Sequence, residues 1–188
     1  MNTSSAKVSK RGFTLVELLV VIGILAILTA AVVVVLNPAE LLKQSRDAQR
    51  LSDFDALRSA ISLYLSTASV PSFGATSTAY AMVAGSPACH GLTMSCTTNA
   101  STVITGTGWV PINFGELTGV GLSSPLSALP TDPTNSGNYY YAGAFDTTNK
   151  YYELDSVLES NKYYGRMATD GGSSTTVYEV GNAPGLAL

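Results

Sequence analysis

The run from Phe13 to Leu36 constrains this chain most. It holds a single ionisable residue, Glu17, and is apolar on every face of a helix. A helix over 13–36 would be about 36 Å long at 1.5 Å per residue, enough to cross a hydrocarbon core of about 30 Å. An all-round apolar surface excludes an ordinary amphipathic surface helix and points to a membrane span. Glu17 is the exception: a carboxylate in such a segment costs on the order of 3 kcal/mol, so it reads as a functional group with a partner. Lys7, Lys10 and Arg11 precede the run, and positive residues stay on the cytoplasmic side. The bulk of the chain is therefore expected outside the cytoplasm.

Two plainer readings fit less well. A secretory signal peptide has an apolar core of about 7–15 residues, shorter than this one, although Thr29-Ala30-Ala31 resembles a cleavage site. A plain signal anchor requires neither Glu17 nor the Gly12-Phe13 junction. The stretch KRGFTLVELLVVIGILAILTAAVVVVL, Lys10 to Leu36, closely resembles the N-terminus of type IV prepilins and type II secretion pseudopilins. RDAQRLSDFDALRSAISLY, LPTDPTNSGNYYYAG and YYELDSVLES also look pseudopilin-like.

The resemblance implies a leader over 1–12, a transmembrane and filament-core helix over 13–36, a stalk helix over 37–69 and a globular domain over 70–188. It implies an α+β pilin fold, with the long N-terminal helix packed on a small antiparallel sheet. A membrane-embedded prepilin peptidase and N-methyltransferase would cut between Gly12 and Phe13 and methylate Phe13. Glu17 would be the assembly residue, one helical turn from the new α-amino group. Partners implied are further copies of the chain or minor pilins, the inner-membrane assembly platform, and lipid before assembly. The precursor would sit in the inner membrane and the product in an extracellular or periplasmic filament. A structural subunit of a type IV pilus-like filament is the leading reading; a pseudopilin of a secretion or DNA-uptake system is the near alternative. A membrane-anchored enzyme or receptor with an uncleaved anchor is the alternative of another class.

Beyond the span, the 188 residues provide one domain and a stalk, with a net charge of -3 and no basic tract that implies nucleic acid. Asn37-Pro38 should disturb the helix, and Gly23 and Pro38 are its expected soft points. A second helix is expected over Ala39–Ser66, with Leu51, Phe54, Leu57, Ile61 and Leu65 on one stripe. Glu40 with Lys43, Lys43 with Asp47, Arg50 with Asp53, and Asp55 with Arg58 read as a solvated charged face. Val70-Pro71 ends the helix. An irregular loop follows over Ser72–Thr107, with a short helix around Ala79–Ala84. Cys89 and Cys96 lie inside it, and outside the cytoplasm a disulfide is favoured. Cys89, His90 and Cys96 as metal ligands are the alternative, lacking a second cluster to complete a site.

Strands are expected at Trp109–Phe114, at Tyr139–Ala142 paired with Tyr151–Val157 across a hairpin, and at Thr175–Val180. Consecutive tyrosines should divide between core and exposed face. Asp170-Gly171-Gly172 reads as a glycine turn. The resemblance adds calcium there, because some pseudopilins hold it in a loop before the last strand. Calcium takes six to eight oxygens and Asp170 is one certain carboxylate, so no cofactor is expected and Asp170 stands as a weak calcium candidate. A single histidine, with no phosphate loop and no zinc signature, gives an enzyme nothing to work with.

Overall fold

Asn37 divides the helical part of the chain. The computed structural model describes residues 12–74, 78–83, 89–92 and 95–186. Helix α1 is Leu15–Leu36 and helix α2 is Pro38–Thr67. Asn37 between them is left-handed, φ 41° and ψ 74°. Proline disfavours helical geometry in the residue before it and is at home as the first residue of a helix, so Pro38 ends one helix and opens the next. Gly23 lies inside α1 without interrupting it. Residues up to Leu41 form one compact unit and Leu42–Leu188 another.

In the second unit, Phe54, Leu57, Ala60, Ile61 and Tyr64 line the buried side of α2. They pack with Phe73, Trp109, Ile112, Phe114, Tyr141 and Leu154 in the main core. Leu51 is half-buried, and Leu65 packs at the edge of this core. The sheet has five strands in the order β2-β1-β3-β4-β5. They are β1 (Thr78–Ala81), β2 (Ser95–Thr98), β3 (Ala142–Asp146), β4 (Tyr151–Ser156) and β5 (Tyr178–Gly181). β1 and β2 are parallel; the other pairs are antiparallel. A long apolar N-terminal helix with a mostly antiparallel sheet is the α+β arrangement that the resemblance implies.

Several local expectations give way. Trp109–Phe114 forms no strand; it runs irregularly into a 3-10 helix, Phe114–Val120. Its apolar side chains are still buried, and Trp109 donates its indole N–H to Pro130 O at 3.1 Å. Pro111 has no N–H for a ladder, which removes the advantage of pairing there. The segment expected as loop with a short helix from Ala79 holds β1 and β2, although residues 84–88 lie outside the described residues. Tyr80 faces the main core while Ala79 and Ala81 face the opposite side, an alternation that suits a sheet with a tight second face. β3 starts at Ala142, where the expected strand ended, and its turn is tied by the Asp146 carboxylate, which accepts the Thr148 N–H at 2.7 Å. Tyr140 and Tyr141 are both buried, on opposite faces, so neither is the exposed member of the pair.

The charged face of α2 also differs from expectation. Asp47 and Arg50 continue the buried stripe rather than facing water. Arg50 Nε donates to Asp132 at 2.7 Å, and its Nη1 lies 2.8 Å from Asp47 and 2.7 Å from Glu159. Arg46 completes a bidentate pair with Glu159, at 2.8 and 2.5 Å. Asp47 also accepts the backbone N–H groups of Glu159 and Ser160 and the Ser160 hydroxyl. Asp53 is not paired with Arg50; it accepts from Gln49 and Tyr141. Among the expected pairs, Arg58 and Asp55 do face each other on the exposed side, at 3.7 Å.

This cluster generates a pH prediction. Arg46 first, and then Arg50, hold the Glu159 carboxyl down at about 2 against an ordinary 4.5. A depressed carboxylate stabilises the fold fully above its unfolded value, and that contribution is lost as pH falls through the folded value. Glu159→Gln should therefore lower the stability of the detergent-solubilised chain at pH 7 by up to about 3 kcal/mol. The deficit should shrink from about pH 4.5 downwards and vanish near pH 2. Urea unfolding of both proteins across that range checks it; a deficit independent of pH would count against the ion cluster.

Candidate functional site

Thr14 starts α1 and brings Glu17 back to the helix entrance. Its side chain accepts the Glu17 N–H at 3.2 Å, while the Thr14 N–H and hydroxyl donate to Glu17 Oε2 at 2.9 and 2.8 Å. This is a capping box, which satisfies donors that a helix start otherwise leaves bare. The spacing T-x-x-E before an apolar run was the sequence signal for it, and the reading of Glu17 as the partner of the Phe13 α-amino group passed over it. A carboxylate at a helix N-terminus also meets the positive end of the helix dipole. Phe13 is exposed, and so is the apolar surface of the candidate span Leu15–Val33, none of which is buried. Gly12 and Phe13 directly precede Thr14, so the expected processing junction lies just outside the helix. Lys7, Lys10 and Arg11 lie outside the described residues.

The second unit holds a different cluster. Strand alternation sends Tyr152 and Leu154 into the main core and Glu153 and Asp155 to the opposite face. Asp155 is registered opposite Glu179 on β5. Oxygens of Glu153, Asp155 and Glu179 all lie within 4.8 Å of one another, and all three residues are buried. Alanines flank them on the same face: Ala144 opposite Glu153 and Ala142 opposite Asp155. Burial first, and then Glu153 and Glu179 beside it, push the Asp155 carboxyl well above the usual carboxylate range. Sequence reading missed this group, although E-x-D within a strand places both carboxylates on one face.

Asp170, the weak calcium candidate, is not part of the three. Its oxygens accept the N–H groups of Gly172 at 3.0 Å and Glu179 at 2.9 Å. Glu179 in turn accepts from Ser173 Oγ at 3.2 Å and from the Ser174 N–H at 2.7 Å. The Asp170 loop thus holds Glu179 in place.

Cys89 and Cys96 are joined by a disulfide, with Cα atoms 5.8 Å apart, so neither offers a thiolate to a metal. His90 stacks on Tyr140, ring centroids 4.0 Å apart, with Nε2 2.9 Å from Tyr140 O. Burial pushes the His90 imidazole below its ordinary value.

The prokaryotic N-terminal methylation motif matches residues 7–33 of this chain. With a capped apolar helix and an α+β domain, the match supports a prepilin of the type IV pilin and pseudopilin kind. No curated protein and no solved structure matches the chain.

The disulfide closes a short loop across a sequence separation of 7. The chain-entropy relation gives about 2.5 kcal/mol for such a loop. Non-reducing peptide mapping of exported protein should recover Cys89 and Cys96 linked, and replacing both by Ser should cost about that much in unfolding free energy. Two free thiols in freshly trapped protein would refute the pairing.

Proposed function

We propose that this chain is the structural subunit of a type IV pilus-like filament, made as a membrane-anchored precursor. The observation that carries this is the prepilin motif ending in an exposed apolar helix whose only carboxylate, Glu17, sits one turn from Phe13. The prepilin peptidase and N-methyltransferase would release the residues through Gly12 and methylate Phe13. The precursor would lie in the inner membrane with its globular domain outside the cytoplasm, and the assembly platform would move α1 from lipid into a filament of like chains. The cut leaves a positive α-amino group on Phe13, and an unpaired charge in an apolar filament core is strongly unfavourable. Glu17 is the available counter-charge, for its own amino group or that of a neighbouring subunit. Pairing between subunits would fix one axial register, because a slipped stack leaves both charges bare.

A pseudopilin of a secretion or DNA-uptake machine uses the same chemistry in a short filament. Electron microscopy of filaments sheared from the native cell, with mass spectrometry of their subunits, separates the two. The mass of the subunit purified from its native cell should correspond to a chain beginning at N-methylated Phe13. An intact Met1, or a start near Val32, would sink the prepilin reading and favour an uncleaved anchor or an ordinary signal peptide.

Glu17→Gln is the sharper test. Glutamine serves a capping box as glutamate does, so the start of α1 is kept while the charge is lost. Cleavage should proceed, and filament yield should fall about tenfold or more, since each 1.4 kcal/mol of lost pairing is a factor of ten. Glu17→Asp should retain part of the yield. Normal filaments from the Gln chain would show that charge pairing does not set the register.

A further inference from the structure

We propose that Glu153, Asp155 and Glu179 bind a calcium ion on the second face of the sheet. This site goes beyond the filament reading and does not depend on it.

Three carboxylates converge there, and the described residues lining the adjoining cavity include His90 but no lysine or arginine to offset them. Like charges directly opposite across a strand pair oppose folding, and Asp155 and Glu179 are such a pair. Two oxygens of the cluster, Glu153 Oε1 and Asp155 Oδ1, have no hydrogen-bond partner among the described residues, although both side chains are fully buried. Buried polar atoms are normally satisfied, and an exception calls for a cause. A cation supplies the missing partner for both atoms at once. The remaining contacts are already made: Glu153 Oε2 accepts the Leu186 N–H, and Glu179 is held by Ser173 and Ser174.

The donor set selects the ion. It is all oxygen, which suits a hard cation rather than zinc or copper. Calcium ligands lie at about 2.3–2.6 Å, so oxygens on opposite sides of the ion are about 5 Å apart; around magnesium the separation is about 4.2 Å. The three carboxylate oxygens lie within 4.8 Å of one another, a spacing that fits inside a calcium coordination sphere. Calcium needs more oxygens than three side chains provide in one-point contacts. The cluster opens into a cavity of about 370 Å³, bordered by Ser173, Ser174 and Gly185, which leaves room for water ligands. Gly172 matters to the same geometry, because a Cβ there would strike the Glu179 carboxylate. Asp170 is a positioning residue, since it holds the Glu179 backbone and the loop turn rather than facing the other carboxylates.

The test uses the full chain in detergent, stripped with EGTA and titrated with calcium chloride by calorimetry. One calcium per chain should bind, and the thermal midpoint should rise by about 5 °C or more at saturation. Magnesium at equal concentration should shift it less. Asp155→Asn should weaken calcium binding by about tenfold or more, while unfolding without calcium at the same temperature as the parent or higher, because like-charge repulsion is relieved. Glu179→Gln gives a second reading of the same kind. The assignment is overturned by absence of binding up to on the order of 10 mM calcium, by a magnesium preference, or by calcium affinity unchanged in both variants. Processing at Gly12 is unaffected by any of these results.

Discussion

The guanidinium of Arg50 is the point on which the globular unit turns. It reaches Asp132, just ahead of the segment leading into β3, and Glu159, just after β4. Both ends of the β3–β4 hairpin are thereby clamped to α2, across sequence separations of 82 and more. Burying one cation among three carboxylates is not in itself a large gain, because each charge leaves water; aliphatic side chains of similar volume are often as stable. What aliphatic residues would not supply is an acceptor for the N–H groups of Glu159 and Ser160, which Asp47 receives at the start of the short helix α3, Asn161–Tyr164. Against burial, which pulls it down, the carboxylates and Asp132 foremost hold the Arg50 pKa above its ordinary value, so the cation stays charged.

How much of this was legible in the sequence follows from range. The membrane segment and the stripe Phe54, Leu57, Ile61 were readable because period and composition are local properties. The Asn37-Pro38 break was readable because proline acts on its own neighbour. Asp47 and Arg50 were misread as solvated because their partners lie at Asp132 and Glu159, and no local pattern reports a contact at that distance. β1 and β2 were missed for a similar reason: alanine and serine carry little strand signal, and what makes these segments strands is their neighbours, β3 beside β1 and β1 beside β2. Trp109–Phe114 erred the other way, since a run rich in strand formers is buried with an isolated bridge, Asn113 to Thr105, and no partner strand among the described residues.

The carboxylate cluster is the most instructive gap. Glu153 and Asp155 lie in a strand that was recognised, at a spacing that puts both on one face. The tyrosines around them drew the reading towards packing, and the third member, Glu179, is brought in only by the β4–β5 register. The sheet therefore separates two chemistries: aromatic and aliphatic side chains face α2, while small residues and carboxylates face away. In α1 the same economy of partners is local, with Thr14 engaging Glu17 inside one turn.

The ends of the sheet have a consequence for crowding. Among the described residues the sheet is bounded by β2 and β5, each of four residues, and such edges are where a foreign strand can add and start aggregation. β2 is stapled at Cys96 and is made of Ser, Cys and Thr. β5 turns Glu179 inward, and an incoming strand would find a short, charged frame to continue. Many copies held side by side would thus meet margins that resist extension, and the chain can be concentrated without its sheets fusing into one.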